Sequence, residues 1–187
     1  KLVAAGRKIL EGAPFSMHVS AEGEDEQEVE RRLGKIRELI GDTGEEIENS
    51  VPKVLRANPF VPVNSMLGPT GERWVPVHGI VPNSQARSIQ TAIAQYFAQN
   101  QARLDQHEID VGYLMTAIAH SAFLIEPVFY WKDAQVTFHQ RVVEADHLAK
   151  LTNYPEDLAA RSVVSELKQG LADLFHEHGA AHFQLGK

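Results

Sequence analysis

The residues of this chain best suited to ligand chemistry fall on strand-patterned segments. In the run Phe123–Trp131, successive side chains of a strand point to opposite faces. Phe123, Ile125, Phe129 and Trp131 therefore turn one way, and Leu124, Glu126, Val128 and Tyr130 the other. The same period puts Trp74, Pro76 and His78 on one face of a strand around Arg73–Gly79. It also sets His182 and Gln184 opposite Phe183 and Leu185 in a last strand over Ala181–Leu185. If the faces carrying Trp74, His78, Glu126, Tyr130, His182 and Gln184 coincide, they make a mainly apolar wall with a few polar groups, the usual composition of a small-molecule site. Each residue also has a plainer reading. Glu126 suits a surface ion pair, Trp74 and Tyr130 suit packing with a satisfied polar tip, and His78 suits a structural hydrogen bond at a strand end.

Other chemistries find little support. His176, His178 and His182 cluster in HEHGAAH, but Gly179 should end the helix between the second and third, so they would not share a helical face, and no HExxH occurs. No metal site is expected. There is no cysteine, which removes thiolate catalysis, Fe–S ligation and disulfides and favours a reducing compartment, the cytoplasm. No glycine-rich phosphate loop, GxSxG elbow or EF-hand loop is present, so the chain carries no recognisable nucleotide site. A net charge of -7, spread rather than clustered, argues against nucleic acid. No apolar run approaches the roughly 20 residues that span a bilayer, so no membrane partner is expected.

The elements that must position these residues can be read from periodicity. Lys1–Gly12 reads as the end of a helix and Phe15–Ser20 as a strand. Val29, Leu33, Ile36 and Ile40 follow at helical spacing, with acidic residues in the first turn and Gly41 after the last. Glu45–Leu55 suits a second helix. Five prolines between Pro52 and Pro76 then predict an irregular or edge-strand region. Pro82 and Asn83 open a long helix with Ala86, Ile89, Ile93, Phe97 and Leu104 on its apolar stripe. Val111–Ala119 and Phe123–Trp131 form a hairpin around His120 and Ser121. A last helix follows Pro155, with Val164, Leu167, Leu171, Leu174 and His178 on one stripe and Gly179 as its stop. This order lacks the strict alternation of a parallel sheet and predicts an α+β fold, an antiparallel sheet with helices packed mainly on one face in the ferredoxin-like manner.

Three patches, RWVPVHGIVPNSQA, IEPVFYWKD and EHGAAHFQLGK, together with the wider run Arg56–Pro82, carry a resemblance to FAD-linked oxidases of the vanillyl-alcohol oxidase and 4-cresol dehydrogenase type. The resemblance implies that residues 1–187 are a single cap, or substrate, domain of a larger flavoprotein whose FAD-binding domain lies elsewhere in the same polypeptide. It implies an enzyme that oxidises a small alcohol, phenol or hydroxy acid by hydride transfer to FAD, inactive as this fragment alone. The family's catalytic tyrosine and arginine would fall after Lys187, so no catalytic residue is assigned here. In some members a cap histidine bonds the flavin covalently, and His120 is the nearest match by position. The chain departs from the related 2-hydroxy-acid dehydrogenases. Their GHVGDGN-like metal motif is replaced by IEPVFYWKD, and EHGIG survives only as EHGAAH, which favours an aromatic-alcohol or phenol substrate. The rival reading is a free-standing ferredoxin-like module that binds a small ligand or self-associates, with a homo-oligomer as its partner state and no catalysis.

Overall fold

In a computed structural model, which describes residues 13, 15–47, 49–57, 59–60 and 63–181, the sheet is organised around one long strand. The described strands are β1 (Arg73–Pro76), β2 (Gly79–Pro82), β3 (Asp110–Ile118) and β4 (Ala122–Trp131). The α-helices are α1 (Glu26–Ile40), α2 (Ser50–Ala57), α3 (Ala86–Gln106), α4 (Thr137–Val142), α5 (Ala145–Leu148) and α6 (Leu158–Glu177). The chain divides into two compact units, residues 1–61 and 62–187.

In the first unit, Asp25 caps α1 by accepting the Glu28 N–H at 2.8 Å, and Glu28 in turn accepts the Glu24 N–H at 3.1 Å. Val29, Leu33, Ile36 and Ile40 are half-buried, as their spacing predicts, while Leu39 beside them is 79% exposed. Gly41, at φ 48°, ends the helix, where Arg37 forms a two-pronged ion pair with Glu46. The second helix begins at Ser50 rather than at Glu45. Pro52 falls in its first turn, where a missing N–H costs no helical hydrogen bond. The strand expected over Phe15–Ser20 is not formed. These residues have no regular structure and Phe15, Met17 and Val19 are exposed, because alternation alone cannot supply the neighbouring strand that a ladder requires. The helix expected at Lys1–Gly12 lies outside the described residues.

In the second unit, β4 is central. It pairs antiparallel with β3 along one edge, and with β1 and β2 along the other. β1 and β2 hold one register, Arg73 opposite Trp131 through Pro82 opposite Ala122, so they are a single strand interrupted at Val77 and His78. Pro127 explains the interruption. The Val77 N–H donates to the Pro127 carbonyl at 2.9 Å, but proline has no N–H to return, and half of that ladder step is lost. An isolated antiparallel bridge, Ile80 to Ala181, brings the end of the chain beside β2. With β1 and β2 taken as one strand, the packed elements run β-α-β-β-α and end at the bridge residue Ala181, which lies outside the first strand, with β4 inside it and β3 beyond. This is the ferredoxin-like split βαβ arrangement. Residues of the expected last strand beyond Ala181 lie outside the described set.

Helices α3 and α6 supply the apolar stripes that pack with Ile125, Phe129 and Trp131. Ile89, Ile93, Phe97 and Leu104 from α3 and Val164, Leu167, Leu171 and Phe175 from α6 are all buried. The Phe175 ring lies directly on Gly79, where any β-carbon would come within 2.3 Å of the ring. The helices are joined by the Tyr96 hydroxyl donating to the Leu167 carbonyl at 3.1 Å and by an Arg103–Glu166 ion pair. Short helices α4 and α5, which periodicity does not indicate, are held by long-range contacts. Asn64 and Glu144 exchange two hydrogen bonds, at 2.8 and 3.1 Å.

Candidate functional site

The sheet's other face carries the predicted residues. Trp74 stands opposite Tyr130 across β1 and β4, and the same register puts His78 opposite Glu126. All four share the face that α3 and α6 do not cover, with Pro76 and Val128 between them and Leu124 beyond Glu126. Four strand positions separate Glu126 from Tyr130, a Cα spacing of about 13 Å at ~3.3 Å per residue. The face is not open throughout: Leu124, Val128 and His78 are buried, whereas Leu114 and Thr116 on β3 are exposed.

Each side chain is fixed by a different local device. The Trp74 indole N–H donates to the Ser65 carbonyl at 2.7 Å, from the turn Val63–Met66. His78 falls in the break opposite Pro127, and its Nδ1 lies 3.1 Å from Glu126 Oε2. The Tyr130 ring lies against Gly112 on β3, where a β-carbon would be 3.1 Å from it, so the ring rests on bare backbone. Burial pushes the Tyr130 hydroxyl above its ordinary pKa, and the charges of Glu126 and Glu72 push it the same way. It is therefore a neutral phenol at physiological pH. Among the described residues no group hydrogen-bonds that hydroxyl.

Glu72 is a contributor that sequence reasoning missed. Its Oε2 accepts from both the N–H and the hydroxyl of Thr70, at 2.7 Å each, which orders the turn before β1. No sequence signal marks it, since its influence on Tyr130 depends on strand pairing 58 positions away in the chain (130 − 72).

Asp133, also missed, anchors the site's scaffold. It is fully buried and accepts from Arg73 at 2.8 Å, from Arg161 Nε and Nη2 at 2.5 and 2.9 Å, from the Trp131 indole at 3.2 Å, and from the Asp157 and Ala134 N–H groups. Burial alone would raise its pKa. The Arg161 hydrogen bonds and the backbone and indole donors outweigh it and hold the carboxyl well below the usual range. The guanidinium of Arg73 also lies 5.1 Å from the centre of the Trp131 ring. Together these contacts clamp β1, the end of β4 and the start of α6. Asp133 is structural, because every lone pair is already engaged.

His120 is not brought to the wall. It is exposed in the β3–β4 turn, at the opposite end of the sheet from Tyr130, and its carbonyl accepts from Asn83 at 3.1 Å. His182 and Gln184 lie outside the described residues. Among the described residues no group of three histidine or carboxylate side chains is arranged to hold a metal ion, and no helix is long and apolar enough to cross a membrane. A planar isoalloxazine ring needs a flat, mainly apolar cover with few polar groups. Trp74, Pro76 and Tyr130, each only partly buried, are side chains of the kind such a cover uses, whereas nothing in the described residues forms a cradle for its phosphates.

No family model matches the chain, and neither a curated protein nor a solved structure matches it.

Proposed function

We propose that residues 62–181 form the substrate wall of a cytoplasmic FAD-dependent oxidase or dehydrogenase that removes a hydride from a small alcohol or phenol. The observation supporting this reading is the convergence of Trp74, Tyr130 and the His78–Glu126 pair on one sheet face. A flavin, held mainly by an FAD-binding domain of the same polypeptide outside residues 1–187, would supply the hydride acceptor. The residues of this chain bind and orient. Trp74 and Tyr130 stack against an aromatic or apolar substrate body, and the neutral Tyr130 hydroxyl donates a hydrogen bond to a substrate oxygen. His78 and Glu126 form a polar pair that accepts or donates at the substrate hydroxyl. Holding the reacting carbon in one orientation accounts for much of the advantage of a bound over a free reaction.

The test is the absorbance spectrum of the full-length protein expressed from its native reading frame, before and after acid precipitation. A flavin spectrum supports the reading, and colour retained in the pellet would show that the flavin is bonded covalently. A colourless protein that takes up no added FAD overturns it.

A further inference from the structure

The outer edge of β3 has an unusual combination of properties. Residues of β3 opposite the even-numbered positions of β4 point their backbone groups into the sheet, because Pro127 and its alternates point toward β1 and β2. Val111, Tyr113, Met115 and Ala117 therefore turn their N–H and C=O groups outward. Among the described residues those N–H groups make no hydrogen bond. Of the carbonyls only that of Ala117 has a contact, the Thr116 hydroxyl at 3.3 Å. The edge runs nine residues in unbroken register with no bulge.

Edge strands ordinarily carry a device against pairing, such as lysine, proline, a bulge or a covering segment. The opposite side of the sheet has several. Its strand contains Pro76 and Pro82, is interrupted at Val77 and His78, and is bridged by Ala181. β3, DVGYLMTAI, has none, and its one charge is Asp110 at the first position. Tyr113 is 41% and Leu114 55% exposed, and among the described residues of this unit none pairs with the edge.

We propose that this edge pairs with the β3 of a second copy of the chain, antiparallel about Leu114, joining two sheets into one. The register follows from the backbone. Centring on Leu114 puts Val111 opposite the second copy's Ala117 and Tyr113 opposite its Met115, so all four outward-facing residues meet outward-facing partners and exchange hydrogen bonds. The charge pattern selects the same arrangement. Antiparallel pairing sends the two Asp110 carboxylates to opposite ends, each facing Ile118, whereas parallel in-register pairing would set them side by side. A two-fold axis through Leu114 closes the assembly, since each copy uses its edge once. The groove between α3 and β3, where Tyr113 and Val111 meet Gln101, Asp105 and Asp110, flanks the seam.

The pairing is tested with the wild-type chain and Leu114→Lys and Leu114→Glu by sedimentation velocity from micromolar to near-millimolar concentration, with circular dichroism to confirm folding. The wild type should sediment at twice the chain mass, each charged variant as a monomer, and an equimolar mixture of the two variants as a dimer again, because position 114 meets itself across the axis. Ala117→Pro, which removes an outward N–H without touching the β4 ladder, is a second disruptive variant and should also be monomeric. In the wild-type dimer, amide exchange should slow at Val111, Tyr113 and Met115 relative to Ala117→Pro. A monomeric wild type, a variant that remains dimeric, or a mixture that stays monomeric overturns the proposal.

Discussion

His78 and Glu126 face each other across the one gap in the sheet's ladder, with Nδ1 3.1 Å from Oε2. The gap is made by Pro127, the residue after Glu126, which cannot return a hydrogen bond to Val77. The polar pair thus lies one position from the break, in a face otherwise lined by apolar and aromatic side chains.

If that pair and the Tyr130 phenol orient substrate, their removal should act on substrate choice before it acts on cofactor. In the complete enzyme, Glu126→Gln and Tyr130→Phe should each lower kcat/KM by about 10-fold or more, the cost of one lost hydrogen bond of roughly 1.5 kcal/mol. They should change the ranking of aromatic and aliphatic alcohols while flavin content stays at the wild-type level. Steady-state kinetics over a panel of alcohols and phenols, beside flavin absorbance per chain, separates the two. Unchanged kinetics in both variants would remove these residues from the site.

The Asp133 cluster makes a prediction about stability alone. Asp133→Asn leaves two guanidinium groups, Arg73 and Arg161, facing a neutral amide in a buried position, and should cost about 3 kcal/mol in urea unfolding, the usual scale for breaking a buried pair. Both arginines retain some solvent access, at 21% and 25% of their side-chain surface, which keeps the loss from being larger. Arg73→Met, which keeps the stem over Trp131, should cost less than Asp133→Asn.

Which parts of this were legible in the sequence follows from the range of the forces involved. The stripe of α3, most of that of α6 and the two faces of β4 are readable because burial repeats at 3.6 or 2 residues within one segment, although Phe175 rather than Leu174 or His178 takes the last buried place on α6. The convergence of Trp74, His78, Glu126 and Tyr130 needed strand order as well, which periodicity leaves open. Phe15–Ser20 alternates as well as any strand in the chain, yet it forms no regular structure, since a ladder depends on a neighbour and not on pattern. The α4–α5 segment was invisible because its helices are too short to repeat, and are held by Asn64, 80 positions from Glu144 in sequence. Asp133 gave no signal for the same reason, with partners 28 and 60 positions away.

His139 supplies a pH dependence whose sign can be worked out. Its Nδ1 accepts the Val136 N–H at 3.1 Å at the start of α4, and the residue is buried. Burial first, and then the charge of Arg73, lower its pKa below the ordinary 6.5, although Asp133 opposes them. The unfolded chain therefore takes up a proton before the folded one does. This contribution to stability is complete above pH 6.5 and is lost as the pH falls below it toward the folded pKa. His139→Gln keeps an acceptor at the capping position and removes the titration. Unfolding free energy measured across mildly acidic pH should fall more steeply for wild type than for His139→Gln, and parallel profiles would show that His139 does not set this slope.

Gly79 and Phe175 offer a test of the helix-covered face. The ring occupies the space of the absent side chain, with Phe175 Cδ1 2.3 Å from where a β-carbon would stand. Gly79→Ala should therefore destabilise the fold by roughly 1–3 kcal/mol through overpacking. Phe175→Leu alone should cost about as much by leaving a cavity. Combining them lets the new methyl group occupy part of the vacated space, so the double variant should be less destabilised than the sum of the single variants by about 1 kcal/mol. Additive losses would mean that Gly79 is needed for its backbone rather than for room, and the packing of α6 on β2 would need another explanation.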